Sequence, residues 1–161
     1  MTRVSLGSVF LALLALSLSP ACGPGNPGGP GFEKYSELES ADILGRSSSH
    51  PKVYVKHVLL GWDELEGNYG GRMDERSKKR SRRDAEKIVR LVVAELEKGT
   101  PIEPLMIEHS GDRGTADGKA LPVEPDSNFV PRFKALSLRL AVGEYGVVQT
   151  SFGYHVIKRV K

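Results

Sequence analysis

Gly23 to Gly31 reads GPGNPGGPG, and eight of these nine residues are Gly or Pro. Proline has no amide hydrogen to give a helix or sheet, and glycine loses the most backbone entropy on ordering. This run therefore belongs to no helix or sheet interior. It is a tether, part flexible and part polyproline-like. A fold has to be built from the residues after it. The residues before it read as an address label. Arg3 precedes a ten-residue stretch, Val9 to Leu18, interrupted only by Ser17. A membrane span takes about 20 apolar residues, so this stretch has the length of a signal-peptide core instead.

The chain's one cysteine, Cys22, follows Ser19-Pro20-Ala21 directly. One cysteine excludes an internal disulfide and a multi-cysteine zinc site. Two cleavage chemistries fit the position. The placement resembles a bacterial lipobox, in which the cysteine is lipidated and becomes residue one, although Ser19 and Pro20 depart from its usual pattern. Ordinary cleavage after the small pair Ser19 and Ala21 also fits, and leaves an unpaired thiol. The lipidated form is the expectation carried forward: 1–21 as signal peptide, and 22–51 as lipidated cysteine plus tether with one short helix around Tyr35 to Leu44. The expected protein is exported and anchored to a membrane through its N-terminal lipid. Gly23 is not Asp, which by resemblance to Gram-negative lipoproteins points to the periplasmic face of the outer membrane in such a host. In any other host the cell surface is expected.

The folded domain is expected from Lys52 to Lys161. Val53 to Leu60 is β-branched and bounded by Pro51 and Gly61, which predicts a strand with Val53, Val55, His57 and Leu59 on one face. Ala85, Ile88, Val89, Val92 and Leu96 form one apolar stripe of a helix from Arg83 to Lys98. Thr100-Pro101-Ile102-Glu103 reads as a capping box that opens a second helix ending near His109. Residues 110–128 read as loop with one short strand. Pro131 to Leu140 predicts a third helix, and Tyr145 to Thr150 and Phe152 to Val160 two last strands. The fold class is α+β, with a four-stranded, mostly antiparallel sheet flanked by three or four helices.

Net charge is +3, too weak to imply nucleic-acid binding. It is unevenly spread. Arg72 to Arg90 holds nine basic and four acidic residues. Lys78, Lys79, Arg80, Arg82 and Arg83 at its centre are candidates for an anionic ligand: an acidic or phosphorylated peptide, or a lipid headgroup. A solvated loop and helix start is the other reading. No G-x-S-x-G, phosphate loop or dinucleotide fingerprint occurs, and no histidine pair has local metal-ligand spacing. No cofactor and no metal are expected.

Several passages together resemble one family. Val55-Lys56-His57-Val58-Leu59-Leu60 looks like a strand carrying a histidine before an aliphatic run. Glu108-His109-Ser110-Gly111-Asp112 looks like a turn after a helix that ends on an acidic residue. Phe129-Val130-Pro131-Arg132-Phe133 looks like a proline-pocket segment, and Leu140 to Val148 like a strand-entry passage. Thr150-Ser151-Phe152-Gly153-Tyr154-His155-Val156-Ile157-Lys158 is the most specific match. From Val53 to Val160 the chain resembles the parvulin class of peptidyl-prolyl cis/trans isomerases. The resemblance implies His57, Asp112, Thr150 and His155 as catalytic residues and Phe129, Phe133 and Phe152 as the proline socket. It implies proline-containing unfolded polypeptides as partners, and a monomer. At Asp117 to Val123 the chain departs from the family. Its aromatic is missing and Ala120 stands for a pocket leucine, which implies either weaker proline affinity or a remodelled loop. The expected function is isomerisation that assists folding of exported proteins. The alternative is a non-catalytic peptide-binding chaperone module on the same fold.

Overall fold

Alternation along three strands decides which side of the sheet each helix covers. In the computed structural model, which describes residues 37–161 apart from 113 and 116, β1 (Val53–Leu60), β2 (Leu121–Val123), β3 (Tyr145–Thr150) and β4 (Gly153–Arg159) form one sheet in the order β2-β1-β4-β3. All three pairings are antiparallel. Val58 and Leu60 of β1, Val147 of β3, and Tyr154 and Val156 of β4 point to one face. There they meet α3 (Arg82–Glu97) and α4 (Ile102–His109) through Val89, Val92, Leu96, Leu105 and Met106. Val53, Val55, Val123, Val148 and Ile157 point to the other face, against Phe133 and Leu136 of α5 (Pro131–Ser137) and Ile43 of α1 (Ala41–Leu44). Each side chain in these clusters is nearly or fully buried, which stabilises the fold by about 1.5–3 kcal/mol per large aliphatic.

The expected helices stand with small shifts, and α5 stops at Ser137 while Leu138 and Leu140 still enter the core. The expected capping box does not form. Thr100 donates its hydroxyl to Glu95 at 2.9 Å, and Glu103 takes Lys56 as its partner. The helix instead starts behind Pro101.

Two segments differ from expectation in kind. Residues 61–81, to which the sequence assigned no element, contain a 3-10 helix (Asp63–Tyr69) and a one-turn α2 (Glu75–Lys78). Asp74 caps α2 by accepting from the amides of Arg76 and Ser77. The second difference is the N-terminal boundary. Residues 39–46, assigned to the tether, are part of the folded unit. Strand β3 is a sheet edge, and edge groups need cover. Ser40 supplies it: its amide donates to the Val147 carbonyl at 3.0 Å and its hydroxyl accepts from the Val147 amide at 2.9 Å. The Glu39 carboxylate accepts from the Gln149 amide and from Arg132, both at 2.7 Å. Arg46 makes a two-pronged pair with Glu144, both contacts at 2.7 Å. The folded domain, expected to begin at Lys52, thus takes in residues 39–46 as well. Helix α1 is shorter than the expected Tyr35 to Leu44, and only Ala41–Leu44 is helical within the described residues. Cys22, the signal segment and the Gly/Pro run lie outside the described residues.

Candidate active site

His57 and His155 reach the α5 face of the sheet from adjacent strands. In the register, His57 pairs with Ile157 and Leu59 with His155, so the two histidines are diagonal neighbours on one face. Their rings stack at 5.4 Å between centroids, and their Nδ1 atoms are 3.2 Å apart. Both are buried, at 3% and 5% exposure. The outer nitrogens are partnered too. His57 Nε2 lies 2.9 Å from Asp112 Oδ2, and His155 Nε2 lies 2.9 Å from the Thr150 hydroxyl. Asp112, His57, His155 and Thr150 thus form one hydrogen-bonded chain, contributed by a loop and three strands.

The ends of the chain fix its direction. The Asp112 carboxyl is held down at about 2, first by its hydrogen bond from His57 and against the opposing effect of burial. It is an anion at neutral pH and can only accept, so His57 donates through Nε2. The Thr150 oxygen accepts from the Phe152 amide at 3.1 Å. Its hydroxyl hydrogen then goes to His155 Nε2 at 2.9 Å, since the other acceptor, the Gly153 carbonyl, is at 3.5 Å. His155 therefore carries its proton on Nδ1 and gives it to His57 Nδ1. Every hydrogen bond runs toward the carboxylate. Burial pushes the pKa of His155 well below 6.5, with the neighbouring His57 adding to it. A neutral ring fits this arrangement.

Above the histidines is a cavity of about 290 Å³. Phe133, 2% exposed, meets both imidazoles edge to face, at 5.2 Å from His57 and 5.3 Å from His155. Phe129 lies against Phe133 at 5.2 Å, and Phe152 also lines the cavity. Asp112 stands at the edge with its side chain about a third exposed. Its second oxygen accepts from the Gly114 amide at 2.9 Å, so the carboxylate is tied at both atoms. All seven residues expected as catalytic or socket residues meet here: Thr150 binds His155 beneath, and the other six line the cavity.

Four lining residues were not read from the sequence: Leu59, Leu121, Asn128 and Val130. Leu121 bears on the departure at Ala120. In β2 it pairs with Val55 and shares the face of Val53 and Val123, so it supplies an apolar wall in that region. The alternation of Leu121 and Val123 was the available signal. Thr115, 2% exposed, places its hydroxyl 3.4 Å from His57 Nε2.

The basic candidates do not converge. Arg80 is 9% exposed and donates to the Gly61 carbonyl at 3.3 Å. Arg82 donates to the Tyr154 hydroxyl at 3.1 Å and to Glu86 at 3.2 Å, with its guanidinium over Trp62. Lys78 pairs with Glu75 at 2.9 Å. Lys79 and Arg83 are exposed. The expected cluster of five is thus divided between the interior, local ion pairs and the surface. Arg76, outside that list, donates to the carbonyls of Glu108 and Ser110 and closes the end of α4.

A four-stranded sheet with a histidine pair under an aromatic cavity defines a parvulin-class domain. The chain belongs to that family: the model of the PPIC-type PPIASE domain matches residues 41–161. It is 38% identical over 134 residues to the foldase protein PrsA of Latilactobacillus sakei subsp. sakei (strain 23K), covering 78% of this chain and 37% of that protein. The chain thus spans little more than a third of this curated relative's length. Among solved structures it is similar to the peptidyl-prolyl isomerase ESS1 from Candida albicans, with TM-score 0.58, 20% identity, and 69% of this chain and 63% of that chain covered. It is similar also to TbPIN1, with TM-score 0.58, 22% identity, and 69% and 98% covered. Both likenesses show the fold.

The buried neutral histidine makes stability depend on pH. Its native pKa is depressed while the unfolded chain titrates near 6.5, so the unfolded state binds the extra proton as pH falls. Stability is therefore lost below about pH 6.5, by up to about 1.4 kcal/mol per pH unit. Asp112 acts only at lower pH: its contribution is present above the ordinary carboxyl range and disappears as pH falls through about 2. Urea unfolding of the wild type and His155→Gln between pH 7.5 and 5 measures this. A flatter pH dependence is expected in the variant, and equal slopes would contradict a neutral buried His155.

Proposed function

We propose that this domain catalyses cis/trans isomerisation of X–Pro bonds in exported polypeptides and so assists their folding. The observation that carries the proposal is the apolar cavity with a doubly tied carboxylate at its edge. The uncatalysed barrier is about 18–20 kcal/mol, most of it amide resonance lost on twisting. Phe129, Phe133 and Phe152 take the proline ring and keep water off the bond. Amide resonance places negative charge on the carbonyl oxygen. A fixed anion near that oxygen disfavours the planar, charge-separated form and favours the twisted one, in which that charge is withdrawn. Catalysis needs this difference between the two states, with no covalent bond made or broken. The histidine chain serves by fixing the orientation of Asp112 and keeping His155 neutral beneath the cavity.

We infer further that the domain is carried on a lipidated Cys22 and works at a membrane surface. The signal-like segment, the position of the cysteine and the Gly/Pro tether support this reading. No helix among the described residues is long and apolar enough to cross a membrane. Mass spectrometry of the mature N-terminus tests it: a lipid-modified Cys22 is expected, and an unmodified thiol contradicts it.

The enzymatic claim is tested with Ala-Xaa-Pro-Phe tetrapeptides in a protease-coupled assay. Asp112→Asn keeps an oxygen for His57 while removing the charge and the acceptor for the Gly114 amide, so a loss of about tenfold or more in kcat/KM is expected in a variant that melts lower yet stays folded at the assay temperature. Unchanged kcat/KM removes Asp112 from the reaction. Saturable binding without acceleration by the wild type supports the chaperone alternative. Equal rates with Xaa as Leu or Glu assign Lys79 and Arg83 to a solvated surface.

A further inference from the structure

The segment between β1 and α3 folds back onto the β3–β4 turn, and the proposed chemistry does not explain why. The contacts come from consecutive residues at the end of the 3-10 helix. Asn68 is exposed, yet its side-chain amide donates to the Ser151 carbonyl at 2.8 Å. The Tyr69 hydroxyl donates to the Phe152 carbonyl. The Tyr69 ring meets the Phe152 ring edge to face, at 5.3 Å and 85°. The other face of the same turn is held by the histidine chain, through the Phe152 amide on the Thr150 oxygen.

We propose that Asn68 and Tyr69 are positioning residues that strap the Thr150–Gly153 turn, so that Phe152 already stands as a wall of the proline cavity before substrate arrives. Two glycines make room for the strap. A Cβ at Gly61 would lie 2.5 Å from the Tyr69 hydroxyl and 3.3 Å from the Phe152 carbonyl, so only glycine there lets the hydroxyl reach its acceptor. Gly153 has φ +123°, and a Cβ on it would run into the Leu60 carbonyl, so the turn is pressed onto the end of β1. Phe152 is a partly exposed residue in a tight turn. Left alone, its ring has to be ordered at the moment of binding, and that cost weakens affinity. The strap meets the cost in the free protein. Its effect falls on substrate affinity, because Asp112 and the histidine pair do not touch Asn68 or Tyr69 by any of their hydrogen bonds.

This inference rests on the cavity being the proline site of an isomerase. Its test therefore reads binding and turnover separately, using the mature full-length chain. Chemical-shift titration with the tetrapeptide Ala-Leu-Pro-Phe gives Kd, and exchange spectroscopy on the same samples gives the cis/trans interconversion rate at saturation. Tyr69→Ala is expected to weaken Kd by about three- to tenfold while the saturated rate stays within about twofold. Tyr69→Phe keeps the ring contact and recovers part of the loss. Asn68→Ala, at an exposed position, weakens Kd in the same direction and carries the test if Tyr69→Ala fails to fold. In a Phe152→Ala background, Tyr69→Ala is expected to change nothing further, because its route is gone. An unchanged Kd in Tyr69→Ala and Asn68→Ala, or an equal loss with and without Phe152, overturns the strap. Wild-type binding without interconversion sinks the isomerase reading and leaves the strap to be decided by Kd. A wild type that does neither overturns both.

Discussion

The contact between His57 Nδ1 and His155 Nδ1 is the joint on which the site depends. Two buried imidazoles at 3.2 Å tolerate each other only if one donates and the other accepts. That requirement propagates outward. It demands an acceptor for His57 on one side and a hydroxyl donor for His155 on the other, and Asp112 and Thr150 meet those demands. The strand register puts the two rings on one face, and Phe133 seals them from the side of α5. Removing any member leaves a buried polar group unsatisfied, which costs about 1–3 kcal/mol. The cavity floor is thus a polar network inside an otherwise apolar cluster.

The sheet and the long helices were legible because their periodicities are. Alternation put Val53, Val55 and His57 on one face, and the stripe from Ala85 to Leu96 gave α3. The passage around Phe152-Gly153-Tyr154-His155 gave the site's strand and turn. What escaped has identifiable causes. Residues 39–46 look like linker since their contacts are mostly side chain to edge backbone, with Ile43 the one buried anchor. No hydrophobic pattern announces such a cover. The 3-10 helix has no buried residue of its own, so no period marks it. Charge density marked residues 72–90, but a sequence does not say which way a guanidinium points. Arg80 turns inward onto Gly61, while Arg82 stays exposed and lies along the surface over Tyr154 and Trp62.

These missed parts share a role. The edge cover on β3, the Arg76 closure of α4 and the strap from Asn68 and Tyr69 are polar contacts from short helical turns or irregular segments onto backbone carbonyls or amides. Each holds a neighbour of the histidine chain: β3 leads into Thr150, α4 ends just before Asp112, and the turn carries Phe152. The regular elements place the reactive groups on one face, and the irregular ones hold the loops that complete it.

The direction of the hydrogen-bond chain is the claim from which the rest follows, and nitrogen-15 NMR of the imidazoles reads it directly. At pH 7.5, His57 is expected as the Nε2–H tautomer and His155 as the Nδ1–H tautomer, with His155 still neutral at pH 6.5, where a free imidazole is half protonated. A His155 protonated on Nε2, or doubly protonated across this range, would contradict the account.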